Sequence, residues 1–156
     1  MTEARIVRSS GGAVYPGVPW VFKIGGGTGG AFDFMVGPVE HHSGPPLHVH
    51  REQHDTFYVL AGVLAVQVGD EVFDLEPGDF ASVPPGIPHT FDNIRRDQPA
   101  VQAVNLMTPG GLDGFFAALG KLDEHPPDSA VDRVGDEYGV RFVGPPLRVR
   151  LGLVTE

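Results

Sequence analysis

A chain of 156 residues, 41% hydrophobic and 20% charged, is the size of one domain and carries enough apolar surface to bury a core, which excludes disorder for the chain as a whole. Lys+Arg 11 against Asp+Glu 20 leaves a net charge of -9, which argues against a phosphate-backbone partner, since nucleic acid calls for clustered cations. The absence of cysteine excludes disulfides, thiolate metal sites and a thiol nucleophile, so any metal must sit on nitrogen and oxygen ligands.

Residues 1–12 contain Arg5 and Arg8 but no apolar signal-like run, and no stretch approaches the roughly 18 apolar residues of a membrane span. The expectation is a soluble, cytoplasmic protein without a membrane partner. Alternation of period 2 then begins with Trp20–Ile24 and continues through Phe32, Phe34 and Val36 on one face. Gly25–Gly30 contains the letters of G-x-G-x-x-G, but the strand-like Ala31–Val36 follows where a helix would have to bind a pyrophosphate, so no nucleotide is expected.

Short apolar runs follow at Phe57–Leu60, Val63–Val68, Val72–Leu75, Phe80–Val83 and Val101–Leu106, with turns at Gly62, Gly69-Asp70 and Pro77-Gly78-Asp79. About nine strands in roughly 90 residues predict an all-β sandwich or barrel. No helical crossover separates the strands, so the sheets are expected to be antiparallel. After Pro109 the period changes. Leu112, Phe115, Phe116, Leu119 and Leu122 form one helical stripe, which reads as core packing, with Asp113, Asp123 and Glu124 on the wet side and His125 at its solvated end. Pro126-Pro127-Asp128 breaks the helix, and Ser129–Tyr138 predicts a second short one before Val140–Val143 and a tail with Pro145-Pro146. The division is a single domain over 1–156, with a barrel core at about 18–108 and a C-terminal helix and tail at 109–156.

Six of the seven histidines lie between positions 41 and 89. His48 and His50 stand two apart in the extended segment Pro46–His50, so both imidazoles leave one face and can chelate one ion. His41-His42 precedes them in a loop and reads as solvated. Around the pair run Gly44, His48-x-His50 at a shorter spacing than the pattern allows, four residues, Asp55, six residues, Gly62. Further on, Gly78, five residues, Pro84-x-Gly86, two residues, His89, three residues, Asn93 fits a second pattern at every fixed position. These resemble the two motifs of the cupin superfamily, and the chain is identified as a member on that basis.

The resemblance implies a jelly-roll β-barrel in which His48, His50 and His89, with the carboxylate of the first motif, converge on one divalent ion. Three imidazoles and a carboxylate suit Fe, Mn, Ni, Co, Cu or Zn more than Mg or Ca. The family's Glu is here Asp55, one methylene shorter, preceded by His54. A four-residue spacer gives the ligand position to Asp55 and a three-residue spacer gives it to His54. The register favours Asp55, which shares a face with Phe57 and Val59. The departure leaves open whether Asp55 reaches the ion directly, through water, or only by holding a ligand histidine.

Beyond the motifs, Asp55–Gly62, Thr108-Pro109-Gly110-Gly111 before a Phe-Phe helix, and Tyr138-Gly139-Val140 to Gly144-Pro145-Pro146-Leu147 are similar to small microbial quercetin dioxygenase-like cupins. That resemblance implies activation of O₂ or of an aromatic substrate at an open metal position, with Asp55 in the place of the ligand and base. A pocket lined by Phe34, Phe57, Val59 and Phe91, with Gln67 and Asn93 as polar groups, is expected to take a flat, neutral molecule. Between positions 9 and 94 only Lys23 and Arg51 are basic, which disfavours the anionic substrates of a metal-dependent isomerase, cyclase or lyase. A non-enzymatic binding module is the remaining rival. A homodimer is expected through the apolar residues Val18, Trp20 and Phe22, because small cupins usually pair sheets.

Overall fold

The computed structural model describes residues 4–25 and 30–155; Gly26–Gly29 of the glycine run lie outside them. In chain order the strands are β1 (Ala13–Tyr15), β2 (Val18–Ile24), β3 (Asp33–Val39), β4 (Pro46–His50), β5 (His54–Ala61), β6 (Leu64–Val68), β7 (Glu71–Leu75), β8 (Phe80–Val83), β9 (His89–Asp92), β10 (Val101–Thr108) and β11 (Val140–Pro146). Three helices follow the barrel strands: α1 (Asp113–Leu119), α2 (Asp128–Tyr138) and α3 (Leu147–Arg150). The strands form two sheets, β1-β2-β3-β10-β5-β8 and β11-β4-β9-β6-β7, and every pairing between them is antiparallel. The fold is the all-β antiparallel arrangement expected from the strand pattern, with two sheets as in the jelly roll that the resemblance implies. No helix among the described residues is long and apolar enough to cross a membrane.

Between the sheets lies a core that includes Phe57, Val59, Leu64, Val66, Val101 and Ala103, each essentially without solvent contact. Burial on that scale, about 25 cal/mol per Å² of apolar surface, is the main favourable term in folding. The chain outside positions 18–108 also enters the sheets: β1 extends the first at its edge, and β11 joins the second beside β4.

Two faces differ from the pattern read in sequence. On β3 the inward residues are Asp33, Met35, Gly37 and Val39, while Phe34 and Val36 lie half-buried on the outer face. The three apolar letters are the outer row because Gly37 is needed inside, where a Cβ would meet the Trp20 backbone at 2.9 Å, and because Asp33 has a partner there. Its carboxylate accepts the backbone N–H groups of Gly111 (3.0 Å) and Leu112 (2.7 Å) just before α1. On β2, Trp20 and Phe22 belong to the core and the half-buried Val18 packs against it. Phe22 packs against Phe116 of α1, the tilted rings 5.4 Å apart. The exposed large apolar side chains of the same sheet are Val14, Tyr58, Leu60 and Phe80.

Candidate metal centre

The two sheets bring four side chains together. In β4, alternation turns His48 and His50 to the interior, and Val49 between them to the other face. Gly44 ahead of the strand has no room for a side chain, since a Cβ would collide with the Phe91 carbonyl oxygen. β9 lies beside β4 with His89 directly opposite His48. The turn before it needs Gly86 at φ +82°, where a Cβ-bearing residue is strained, and its N–H donates to the His50 carbonyl at 2.9 Å. The carboxylate comes from the facing sheet: β5 starts at the exposed His54 and turns Asp55 inward.

All four groups are buried, and one ligand atom from each of His48, His50, Asp55 and His89 lies within 4.8 Å of the other three. The imidazole centroids are 4.6 to 5.2 Å apart. Nδ1–H of His48 donates to the Pro46 carbonyl and Nδ1–H of His89 to the Ile87 carbonyl, both at 2.8 Å. Those bonds fix the tautomers and turn Nε2 toward the cluster, as second-shell carbonyls do for ligating histidines. Asp55 Oδ2 lies 3.0 Å from His89 Nε2 and 3.3 Å from His50 Nε2, while the buried Nδ1 of His50 has no protein partner.

The electrostatics match a site built for a cation. Burial, reinforced by the neighbouring His89 and His50, lowers His48 to about 3, so it stays a neutral donor at physiological pH. Burial alone would raise Asp55, but hydrogen bonds from His50 and His89 outweigh it and hold the carboxyl well below the usual carboxylate range. Burial would lower His89, but its bond to Asp55 prevails and raises it. Three imidazoles and one ionised carboxylate, closely grouped and already oriented, fit a divalent transition-metal ion and can hold one.

The cluster opens into a cleft of about 1520 Å³. His48, His50, Asp55, Phe91, Asn105 and Met107 lie at its inner end. Its walls include Trp20, Leu112, Phe115, Phe116, Leu119 and Phe142, so the helical stripe both packs on the core and lines the cleft. Asp123, Glu124, Asp128 and Asp132 stand at its exposed rim, and among the described residues no Lys or Arg lines it. Lys23 is tied to the backbone carbonyls of Arg8, Ser9 and Gly11, and Arg51 is exposed beside Glu52.

Of the pocket residues expected from sequence, Phe91 lines the cleft. Phe34 does not, being on the outer face of β3. Phe57 and Val59 point inward but are wholly buried, with Phe57 backing Phe91 at 5.1 Å. Gln67 pairs with Thr90 in the row of Ala65 and Asp92, the face where Arg148 of α3 binds Asp92, so it points away from the barrel interior. Asn93 is consumed by structure: its amide donates to the Val39 and Pro99 carbonyls and accepts from Gln98. His41 and His42 stack on each other at 3.7 Å and are not in the cluster.

Sequence reasoning missed Asn105 and the part played by β11. Asn105 is buried, lines the cleft and donates Nδ2–H to Asp55 Oδ1 and to the Thr56 carbonyl. Its signal was there: a lone amide in the inward row Val101, Ala103, Asn105, Met107. β11 sets Phe142 opposite His48, with the rings 6.2 Å apart, and so walls the cleft at the histidine pair.

Residues 35–104 match the family model for the cupin domain. A quercetin 2,3-dioxygenase of Bacillus subtilis (strain 168) is 29% identical over 113 residues, 70% of this chain and 33% of that protein. Another, of Aspergillus japonicus, is 31% identical over 106 residues, 64% of this chain and 29% of that protein. The chain therefore spans no more than a third of the length of these curated relatives. Among solved structures, an uncharacterised protein with a double-stranded β-helix domain from Klebsiella pneumoniae subsp. pneumoniae MGH 78578 superimposes with a TM-score of 0.52 at 24% identity, over 70% of this chain and 93% of that one. That likeness concerns the fold.

Proposed function

Because this chain carries a cupin domain and resembles quercetinase-like proteins, we propose that it is a metal-dependent oxygenase-type enzyme acting on a small, uncharged aromatic or polyphenolic molecule. The observation that carries the reading is the pairing of a buried three-histidine, one-carboxylate cluster with a largely apolar cleft that no Lys or Arg lines among the described residues. His48, His50, His89 and Asp55 would hold the ion, which supplies a Lewis-acidic and redox-capable position for O₂ or a substrate hydroxyl.

The protein's own residues supply the rest. Nδ1 bonds to backbone carbonyls keep His48 and His89 presenting Nε2. The low carboxyl of Asp55 keeps it ionised and makes it a weak base, which suits it to hold a cation more than to abstract a proton. Phe91, Phe115, Phe116 and Trp20 offer flat apolar surface to a ring and displace water from it. An anionic sugar acid or phosphate would meet no Lys or Arg among the described lining residues and would pass the acidic rim, which disfavours the isomerase reading.

The test is metal analysis of protein purified without added metal, followed by O₂ uptake with flavonols and simple polyphenols and, in parallel, turnover of phosphorylated and carboxylated sugars. Bound transition metal with O₂ uptake on a neutral polyphenol is expected. Turnover confined to the anionic sugars would overturn the oxygenase reading in favour of the isomerase one.

A further inference from the structure

Asp55 is a short carboxylate in a place where one oxygen alone reaches the imidazoles. Oδ2 faces Nε2 of both His50 and His89, and Oδ1 points the other way, toward β10. There Met107 pairs with Asp55 and Asn105 with Phe57, so Asn105 is the diagonal cross-strand neighbour of Asp55 on the same inward face, within reach of a polar side chain. Its amide donates one hydrogen to Asp55 Oδ1 and the other to the Thr56 carbonyl. A flipped amide would set its oxygen against a carboxylate and a carbonyl, so the orientation is fixed by chemistry.

We propose that Asn105 is a positioning residue of the metal centre, tying off Oδ1 so that Asp55 meets the histidine cluster through Oδ2 alone. The inference rests on the metal-centre reading and adds to it a residue that neither motif contains. A carboxylate engaged at one oxygen delivers its charge while taking a single ligand position, which leaves the cleft side of the cluster to a substrate. Without Asn105, Oδ1 is freed to swing toward the imidazoles or away with the whole carboxylate, and either changes the donor set.

The experiment uses Co²⁺ as the probe, with affinity from chelator competition and the visible absorption spectrum of the loaded protein, on wild type, Asn105→Ala, Asp55→Ala and the double variant. Asn105→Leu, close to Asn in shape, replaces Asn105→Ala if the smaller side chain prevents folding. Removing an outer partner of a ligand is expected to weaken Co²⁺ binding about 10- to 100-fold and to shift the spectrum. In the Asp55→Ala background the same change should alter affinity by less than about 2-fold, because a residue that acts through Asp55 has nothing left to act on. Equal losses in both backgrounds would make Asn105 a staple between β5 and β10 and overturn the proposal. So would an unchanged affinity and spectrum in the Asn105 variant, a result that decides alone if Asp55→Ala holds no Co²⁺. Failure of the wild-type protein to bind Co²⁺ overturns the metal-centre reading and the proposal with it; wild-type uptake with either of the other results overturns the proposal alone.

Discussion

Asp33→Ala tests whether the helical wall of the cleft is hung from β3. The Asp33 carboxylate is fully buried and receives two backbone N–H groups, from Gly111 and Leu112, that would otherwise have no partner at the start of α1. A buried donor left unsatisfied costs about 1–3 kcal/mol. The Leu112 bond is buried and carries the full cost, while the Gly111 bond is part-buried and carries less, so the gross loss is about 2–4 kcal/mol. Part of this is returned, because burial disfavours the ionised carboxylate and raises the Asp33 carboxyl; the net expectation is about 1–3 kcal/mol. The sign with pH follows. A carboxyl raised in the folded state binds more protons there than when unfolded, so the wild-type advantage is largest below the ordinary value near 3.8 and declines as pH rises through the raised value. Urea unfolding of wild type and Asp33→Ala at pH 4 and pH 7 measures both parts, and Asp33→Asn, which keeps one acceptor oxygen, should fall between them. A difference within about 0.5 kcal/mol at both pH values, the size of an ordinary surface substitution, would refute the claim that this carboxylate anchors α1.

The His48→Ala/His50→Ala double variant should lose bound metal on elemental analysis while keeping its far-ultraviolet circular dichroism. Asp55→Ala should reduce metal retention much more than His54→Ala, since Asp55 is buried in the cluster and His54 is exposed; the reverse ranking would restore the three-residue spacer. Metal affinity should fall with acid by about tenfold per pH unit once the proton on His89 competes for Nε2, and this should begin above the ordinary imidazole value near 6.5, because His89 is raised. In chelator-treated protein, His48, lowered by burial to about 3, contributes stability that is lost as pH falls below about 6.5, with the Asp55 contribution lost below about 3.9, while His89, raised by its bond to Asp55, contributes stability that is lost as pH rises past about 6.5. Unfolding midpoints across pH 3 to 9 should therefore fall away on both sides of about pH 6.5.

The residues of the metal cluster were the most legible in sequence. A strand has a period of 2, so His48-x-His50 must share a face, whereas the convergence of His89 and the carboxylate on that pair came from the resemblance to the family's two motifs. The choice of Asp55 over His54 followed from the motif spacer that ends on Gly62, and alternation agreed with it. What the sequence concealed was everything that depends on which face is inside when both are apolar. Phe34 and Val36, with Phe32 just before the strand, make the greasier row at β3, yet the row with Asp33 and Gly37 faces inward, because backbone approach and a buried helix anchor outweigh side-chain hydropathy there. Phe57 and Val59 were placed on the correct face, but a face does not say how deep a side chain lies. Asn93 belongs to a motif, and its role is to fasten the Val39, Gln98 and Pro99 backbone and side chains with every polar atom it has.

A division of labour along the chain follows from these placements. Residues 35–104, the stretch with family character, contribute all four members of the metal cluster and the Phe91 surface beside it. Much of the remaining wall comes from outside that stretch: Trp20 of β2 before it, and Leu112, Phe115, Phe116 and Leu119, Val131 and Asp132 of α2, and Phe142 of β11 beyond position 104. The four cluster residues are therefore specified where spacing is strict, whereas a large part of the surface offered to a substrate is specified by segments outside the motifs, among them helices whose sequence carries only an apolar stripe. α1 and α2 meet where Gly114 leaves no room for a Cβ against the Tyr138 ring, which a methyl carbon would approach to 2.6 Å. Gly114 thus fixes the close approach of α1 and α2, and a larger side chain there would have to push apart two helices that both contribute to the cleft.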